Sequence, residues 1–285
     1  MKFGQPEEPG DFDWSLPADH PRFGLTDHKS QDFKIYIGCG KWDIDSWVGP
    51  YYPAGTKPPA FLSQYIQLFN SIEVNNTFYR LSRSSMENWA SIAVGHEFIF
   101  CPKWSQRVTH LKRLVDVEEN THYFIESCKL LGPHLGPTLL QLPDNFTAKN
   151  MDRIRNFLYL IPDGFQIFFE FRHKSWFEEP ALTETGQLLK DFGKGWALTD
   201  VATRRDVLHM VHSIPTALIR FNGYNATGED HRRLAVWAER INVWREQGMG
   251  KVYFFCHHQD EMYSPENAIY FQKFFIQAGE GPEPV

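Results

Sequence analysis

Short apolar runs alternate with amphipathic segments eight times along this chain. Each run has the length of a β-strand, and the runs occupy residues 34–38, 71–75, 97–103, 138–142, 166–172, 195–200, 216–222 and 251–255. Short strands that alternate with helices pair in parallel through right-handed crossovers. Eight such units predict the α/β class and a single (β/α)8 TIM-like barrel. An open doubly wound sheet is the alternative, but no glycine-rich phosphate loop follows any of the runs.

Helical periodicity fills the segments between these runs. Pro58-Pro59 opens a helix over residues 58–69, since proline in the first turn costs no needed N–H group. A capping box of Ser84 and Glu87 predicts the start of another helix. Further helices are predicted at residues 118–131, 151–160, 182–192, 232–247 and 265–276, the last with Ser264 as its N-cap.

The first 33 residues show no period and are rich in Pro, Asp and Gly, with isolated aromatic residues at Phe12, Trp14 and Phe23. We interpret them as an extended, irregular arm that packs across the barrel through those aromatic side chains. A partly disordered tail is the alternative. The predicted organisation is therefore an N-terminal arm (1–33), a barrel (34–277) and a C-terminal tail (278–285).

Strand parity predicts a polar site. Residues two apart on a strand point the same way, and on most runs the in-phase set begins apolar and turns polar toward the carboxyl end. The polar members are Glu73, Asn75, Lys103, Gln141, Glu170, Arg172, Asp200, Arg220 and Asn222. Barrel sites form at this rim, so the pattern predicts one shared pocket. Alternatively, these side chains only fill and cross-link the barrel interior.

Composition narrows the partners. A formal net charge of −6 argues against long nucleic acid, which requires a basic face. The longest apolar runs are far below the length of a membrane span, and the start lacks the apolar core of a secretory signal. The four cysteines form no Cys-x-x-Cys pair, which favours reduced thiols in the cytoplasm. A small-molecule ligand is the expected partner, and the oligomeric state is not predicted.

Aromatic residues follow several of the strands. Trp42 and Tyr79 are candidates for binding a substrate, together with Asn75, Gln141, Arg172, Arg220 and Asn222. Flat rings around a polar pocket suit stacking on a sugar or a planar base. Alternatively, the large rings wall the pocket or pack against the arm.

General acid–base catalysis on a small polar substrate is the first hypothesis. Glu73 and Glu170 would face each other across the mouth and divide the roles of acid and base. Arg172, Arg220 and Lys103 would hold a carboxylate or phosphate. His110 or His173 would carry a proton near neutral pH. The catalytic candidates are thus Glu73, Lys103, His110, Glu170, His173 and Asp200. A structural ion pair of Glu170 with Arg172 is the alternative.

Two other kinds of function stay open. Metal-assisted hydrolysis or isomerisation would draw ligands from Glu73, Glu170, Asp200, His173, His257 and His258. Adjacent strand residues point oppositely, so at most one of His257 and His258 joins the site. No metal ligand set and no cofactor is assigned. A Schiff base on Lys103 is a further possibility. The last hypothesis is a non-catalytic module that binds a nucleotide or a sugar.

Several motifs also resemble the YecE-like family (domain of unknown function seventy-two). The motifs are Ile37-Gly38-Cys39-Gly40-Lys41-Trp42, Trp47-x-Gly49-Pro50-Tyr51-Tyr52-Pro53, Glu73-Val74-Asn75-Asn76-Thr77-Phe78-Tyr79-Arg80, Lys103 with Thr109-His110, Gly136-Pro137, Gln141-Leu142-Pro143, Glu170-Phe171-Arg172-His173 with Trp176, and Arg220-Phe221-Asn222-Gly223. The resemblance covers about residues 34–277 and implies a TIM-barrel-like fold without an established activity. Asn222 stands where the family usually has His, and Phe255-Cys256-His257-His258 replaces its usual Phe-Asn-Asn.

Overall fold

The computed structural model describes residues 13–25, 32–224 and 228–276. The predicted C-terminal tail and Phe12 of the arm lie outside the described residues. The strands are β1 (Lys34–Cys39), β2 (Ser71–Val74), β3 (Ile99–Pro102), β4 (Thr138–Gln141), β5 (Ile167–Glu170), β6 (Gly195–Trp196), β7 (Leu198–Asp200), β8 (Thr216–Asn222) and β9 (Lys251–His257). The α-helices are α1 (Phe61–Leu68), α2 (Asn76–Tyr79), α3 (Arg83–Ala93), α4 (Glu118–Cys128), α5 (Met151–Leu158), α6 (Ala181–Asp191), α7 (Gly228–Glu246) and α8 (Tyr263–Ile276).

All paired strands of the described residues are parallel and form two sheets. Six strands follow the order β3-β2-β1-β9-β8-β7, and three follow the order β4-β5-β6. This arrangement confirms the predicted α/β class. The sixth predicted strand is divided, because Ala197 separates β6 from β7 while its N–H still donates to the Phe169 carbonyl at 2.9 Å. Two isolated parallel bridges, Phe100 with Leu135 and Lys103 with Leu139, connect the β3 segment to the segment that leads into β4 and to β4 itself.

The strands are apolar on both faces, as expected of parallel strands covered on both sides. Two large clusters lie between the strands and the helices; they include Ile37, Phe254 and Trp237 in one, and Phe169 and Phe157 in the other. A third, smaller cluster draws side chains from both sheets: Tyr36, Cys101, Leu139, Phe168, Ala197, Leu218, Tyr253 and Phe255. We call the strand face that carries this third cluster the inner face.

Two predicted helix starts need correction. Helix α3 begins earlier than the capping box suggested, because the Ser82 hydroxyl, and not that of Ser84, accepts from the Ser85 N–H. Helix α8 begins at Tyr263, so Ser264 lies inside its first turn instead of capping it. Both errors concern one or two residues at a terminus, where competing serines offer the same cap chemistry.

The described part of the arm packs against the helices on the outside of the two sheets. The His20 N–H donates to the Met210 carbonyl at 3.0 Å. Phe23 is buried against α6, where a Cβ added at Gly186 would lie 2.8 Å from its ring. Asp19 accepts from Arg240 and from the Trp244 indole of α7, each at 3.0 Å. These contacts fix residues 13–25 to the helices.

Candidate functional site

An ion network lies on the inner face where the strands end. Arg220 of β8 donates from Nε and Nη2 to the two carboxylate oxygens of Glu73 at 2.7 and 2.9 Å. Its Nη1 donates to Glu170 Oε2 at 2.8 Å. Strand parity explains why these three side chains meet, because Glu73, Glu170 and Arg220 all lie on the inner face, which also carries the third apolar cluster. One guanidinium thus ties two carboxylates from different sheets together.

Both carboxyl groups of this network are held in the ionised form. They are almost fully buried, and burial by itself opposes ionisation. The Arg220 cation outweighs that effect: the pKa of Glu73 lies well below its ordinary value, with a further contribution from His257, and the pKa of Glu170 is lowered too. Burial opposes the charge of Arg220 as well, but the two carboxylates raise its pKa. Glu73 and Glu170 are therefore weak bases, and the expected pair of acid and base across the mouth is not what these groups form.

Arg172 extends the network toward the mouth. Its Nε donates to Glu170 Oε1 at 2.9 Å, and its Nη1 lies 3.6 Å from Asp144 Oδ1. The Arg172 side chain keeps 16% of its surface exposed, whereas that of Glu170 keeps 1%. Arg172 therefore connects the buried carboxylate to the solvent side of the site.

His257, at the end of β9, lies on the other side of Glu73. Its Nε2 is 3.2 Å from Glu73 Oε2, while His258 turns away and its Nδ1 accepts from the Asp260 N–H at 3.0 Å. Gly40 makes room for this arrangement: a Cβ there would lie 2.6 Å from His257 Cε1 and 2.9 Å from Asn75 Nδ2. Asn75 donates to the Gly40 carbonyl at 3.1 Å. Between the two adjacent histidines, only His257 joins the network.

Lys103 follows β3 and adds a further cation. Its side chain is 8% exposed, and its Nζ lies 5.0 Å from the centre of the Phe78 ring. Among the described residues its ammonium makes no hydrogen bond. Burial, and then the Arg220 cation, lower its pKa from 10.5 to about 8, although Glu73 and Glu170 act in the opposite direction. Lys103 is thus an amine that titrates close to neutral pH.

Two polar atoms on the inner face also lack hydrogen-bond partners within the described ranges. They are Gln141 Oε1 and Thr199 Oγ1, on residues that are 6% and 3% exposed. Gln141 is in register with Glu170, and Thr199 with Arg220, so both lie beside the ion network. A buried polar atom without a partner costs about 1–3 kcal/mol. Their position beside Glu170 and Arg220 points to polar atoms kept for a ligand.

His110 lies on a five-residue π-helix, Arg107–Leu111, that follows β3. Its ring meets the Phe78 ring edge to face at 5.0 Å, so His110 and Lys103 flank the same aromatic side chain. Burial, followed by the Lys103 and Arg172 cations, lowers the pKa of His110 from 6.5 to about 4. The imidazole is therefore neutral at pH 7, which corrects the expectation of a proton carrier that titrates near neutrality.

Asp200 is placed differently from the prediction. Ala197 belongs to the inner cluster, whereas Trp196 and Leu198 pack in the outer clusters, so the in-phase inner residue is Thr199. Asp200 points outward, accepts from the Trp237 indole at 2.7 Å and pairs with Arg233 at 3.0 Å and with Arg205. Parity failed here because the run 195–200 offers apolar residues in both phases. The structure therefore separates Asp200 from the network on the inner face.

Four other predicted site residues have contacts of a different kind. Trp42 is buried in the outer core and packs edge to face on Trp89 at 5.3 Å. Tyr79 is 74% exposed beside Phe78. His173 caps a short helix, since its Nδ1 accepts from the Ser175 N–H at 3.2 Å. Asn222 donates weakly to the Arg220 carbonyl at 3.4 Å. Sequence reasoning missed Thr199 and Asp144, and the register of β7 is the signal that would have found Thr199.

In residues 13–25, 32–224 and 228–276 no group of three or more His, Cys, Asp or Glu side chains is arranged to hold a metal ion. His209 and His212 are three residues apart in the sequence, but their rings are buried against different side chains, Trp196 and Trp244. Within the same ranges, no helix combines the length and apolar character needed to cross a membrane.

Comparison with known proteins yields relatives without an assigned function. The family model described as "Protein of unknown function DUF72" matches residues 36–284. The chain is 26% identical over 252 residues to the UPF0759 protein YecE of Escherichia coli O157:H7, covering 81% of this chain and 89% of that protein.

Solved structures show the same fold. A DUF72 family protein of Thermotoga maritima is similar with a TM-score of 0.68 and 24% identity, covering 84% of this chain and 98% of that one. A DUF72 family protein of Enterococcus faecalis is similar with a TM-score of 0.64 and 18% identity, covering 84% of this chain and 94% of that one. At these identities the likeness concerns the fold alone.

Proposed function

This chain belongs to the DUF72 family of proteins of unknown function, and from its inner-face network we propose that it is an enzyme in which Lys103 transfers a proton to or from a small anionic substrate. One observation carries the proposal: Lys103 is a buried amine with a pKa of about 8 and no hydrogen-bond partner among the described residues. A general acid or base works best when its pKa lies near the working pH. Isomerisation or hydrolysis of a polar, sugar-like molecule is the reaction type we favour.

The charges of the site support an anionic substrate. The cations of Arg220, Arg172 and Lys103 lie beside two buried carboxylates, Glu73 and Glu170, at neutral pH; the third carboxylate of the network, Asp144, is 57% exposed and lies 3.6 Å from Arg172. Arg172 is the guanidinium that reaches toward the mouth. A carboxylate or phosphate bound between Arg172 and Lys103 would balance the network, since ion pairs are strengthened where water is scarce.

Glu73 and Glu170 act as positioning residues in this proposal. They hold Arg220 through three charge-assisted hydrogen bonds of 2.7–2.9 Å. The guanidinium then lies close to Lys103 and adds to burial in lowering the pKa of its amine, while the charges of the two carboxylates act in the opposite direction. The first hypothesis thus survives with the acid–base role moved from the two carboxylates to the lysine.

We also propose that the two sheets form one closed barrel of eight strands. The bridge between Lys103 and Leu139 connects β3 to β4, and only Ala197 separates β6 from β7. Side chains from both sheets share the inner cluster. In a closed parallel barrel the functional site lies at the carboxyl ends of the strands, where the network lies.

The titration of Lys103 tests the proposed role directly. Reductive methylation with ¹³C-formaldehyde gives each lysine an NMR signal that moves with its ionisation, and Lys103→Arg assigns the signal of interest. We expect a midpoint near pH 8. A midpoint at the ordinary value for lysine would overturn the proposal.

Turnover provides the second test. Sugar phosphates and hydroxy or keto acids are incubated with the protein, and NMR follows isomerisation and hydrolysis. Lys103→Gln is expected to lower the rate about 10²–10⁴-fold. The matched control is Lys194→Gln, because Lys194 is also buried but donates to the Phe165 carbonyl at 3.0 Å, away from the network. Binding of these compounds without turnover by the wild type would favour a binding module instead.

A further inference from the structure

The segment that follows β3 carries unusual backbone geometry at the rim. The π-helix Arg107–Leu111 is followed by three residues with positive φ: Arg113 at 51°, Leu114 at 64° and Asp116 at 51°. Left-handed conformations cost non-glycine residues free energy, and π-helical turns are frequent at functional sites. Arg113 anchors the segment, because its Nη1 donates to Asn145 Oδ1 at 2.7 Å. The segment is therefore fixed in a costly conformation that presents His110.

The hydrogen bonds around His110 define which ring nitrogen carries the proton. Thr109 Oγ1 donates its single hydrogen to the Ser105 carbonyl at 3.2 Å. The same oxygen lies 2.8 Å from His110 Nδ1, and both contacts of the hydroxyl are hydrogen bonds at once only when Nδ1 carries the proton and donates to it. A neutral imidazole has one N–H only. His110 Nε2 is therefore a bare acceptor.

That acceptor lies next to the cationic end of the network. His110 and Lys103 contact the same Phe78 ring, each at 5.0 Å. The shared ring puts His110 in the same region as the Lys103 ammonium, and the Arg172 guanidinium belongs to the adjoining network through Glu170.

We infer that the site takes anions with a hydroxyl group near the charged group, such as a 2-hydroxy carboxylate or the phosphate ester of a polyol. Lys103 and Arg172 hold the anionic oxygens, and His110 Nε2 accepts a hydrogen bond from the hydroxyl. Gln141 Oε1 and Thr199 Oγ1 offer partners for further hydroxyl groups. This inference rests on the proposed function and names its substrate class. His110 then determines specificity.

The protonated nitrogen of His110 is measured without any ligand. In protein labelled with ¹⁵N at histidine, the chemical shifts of Nδ1 and Nε2 distinguish the two neutral forms. His110→Gln assigns the signals. We expect the form with the proton on Nδ1 throughout the neutral range. A proton on Nε2, or an imidazolium at pH 7, would overturn the inference and leave the titration of Lys103 as it is.

Matched pairs of ligands test the substrate class. Glycolate is compared with acetate, and glycerol 3-phosphate with propyl phosphate, by isothermal titration calorimetry. The hydroxylated member is expected to bind about tenfold more tightly, as one good hydrogen bond allows. His110→Phe should remove this preference, and His110→Gln, which keeps an acceptor near the position of Nε2, should restore part of it.

The outcomes separate the inference from the proposed function. Equal binding of both members of each pair, or no binding of any member at millimolar concentrations, would overturn the substrate class. Neither result alters the expected pKa of Lys103. Conversely, an ordinary pKa for Lys103 would remove the proposed enzyme while the preference for hydroxylated anions could still be measured. A preference that is unchanged in His110→Phe would assign recognition to another residue and overturn the role of His110.

Discussion

Two buried ion clusters in this molecule differ in one respect that matters for function. One of them, the outer ion cluster, lies under α7, where Asp200 and Asp230 pair with Arg233 at 3.0 Å each. Arg233 is also held between the rings of Trp14 and Phe221, each 4.2 Å from its guanidinium carbon. The other, the ion network on the inner face, pairs Arg220 with Glu73 and Glu170 just as tightly, but it includes Lys103 as a surplus cation.

The difference distinguishes charged groups that stabilise the fold from a charged group that is available for binding or catalysis. In the outer cluster, Arg233 and Arg205 balance Asp200 and Asp230, and the contacts fasten the arm, the strand and α7 to each other. In the ion network on the inner face, hydrogen bonds hold Arg220 to Glu73 and Glu170, whereas Lys103 carries a charge that burial disfavours. A buried charge without a partner costs stability, so its presence at a strand end favours a functional explanation.

Removing the central arginine of either cluster should have the largest effect. Arg220→Met leaves two carboxylates buried without their cation, and Arg233→Met does the same in the outer cluster. We expect each to lower the free energy of unfolding by about 3–5 kcal/mol. Urea denaturation followed by circular dichroism measures it.

The effect of pH refines this prediction. In Arg220→Met the pKa values of Glu73 and Glu170 should rise above their unfolded values, so the loss of stability should diminish as the pH falls and both groups bind protons. A loss below about 1 kcal/mol in Arg220→Met, with the full loss in Arg233→Met, would show that the inner network is not structural.

Removing the surplus cation should have a smaller effect of opposite sign. The folded chain releases the Lys103 proton near pH 8, whereas the unfolded chain holds it up to about pH 10.5. Lys103 should therefore contribute a gain in stability between these pH values, in total about 3 kcal/mol, measured as the wild type relative to Lys103→Met. Lys103→Met should be more stable than the wild type at pH 7 by about 1–3 kcal/mol and lack this gain.

The pH profile of stability checks this prediction. The groups that face Lys103 are Glu73, Glu170, Arg172, Arg220 and His110. Burial raises the pKa of the four cysteine thiols in the folded chain, so their ionisation in the unfolded chain lowers stability over the same pH range in both proteins. The contribution of the lysine is therefore the difference between the wild type and Lys103→Met at each pH. Lys194→Met serves as the control and should destabilise, because its ammonium donates to backbone carbonyls. A destabilised Lys103→Met at pH 7 would contradict the comparison.

Loosening the arm should have the smallest effect. Trp14→Ala removes the ring from one side of Arg233 and should cost about 1 kcal/mol. The midpoint of Lys103 should stay unchanged, since Trp14 packs on the guanidinium groups of Arg205 and Arg233 and on Tyr224, away from the inner face. Thermal unfolding and the NMR titration of Lys103 measure the two effects. A shifted midpoint in Trp14→Ala would mean that the clusters are coupled.

Sequence patterns predicted the ion network on the inner face better than the outer ion cluster. Alternation on β2, β5 and β8 is regular, so parity indicated the shared face of Glu73, Glu170 and Arg220. The division of the sixth run at Ala197 left the phase ambiguous, and Asp200 was assigned to the wrong face. Strand parity does not show which side chains pair between the two sheets. That pairing decides that the carboxylates hold Arg220 and leaves Lys103 as the additional cation. The tautomer of His110 depends on Thr109 and on a π-helix, which no short-range pattern encodes.

Gly40 has a consequence for how this site can vary. The space that a side chain at position 40 would need is already filled by His257 and by the Asn75 amide. Positions 40, 75 and 257 are therefore expected to change as a group over evolutionary time, with alanine at 40 tolerated once position 257 carries a smaller residue. A library randomised at 40 and 257 together should return combinations that libraries of either position alone exclude.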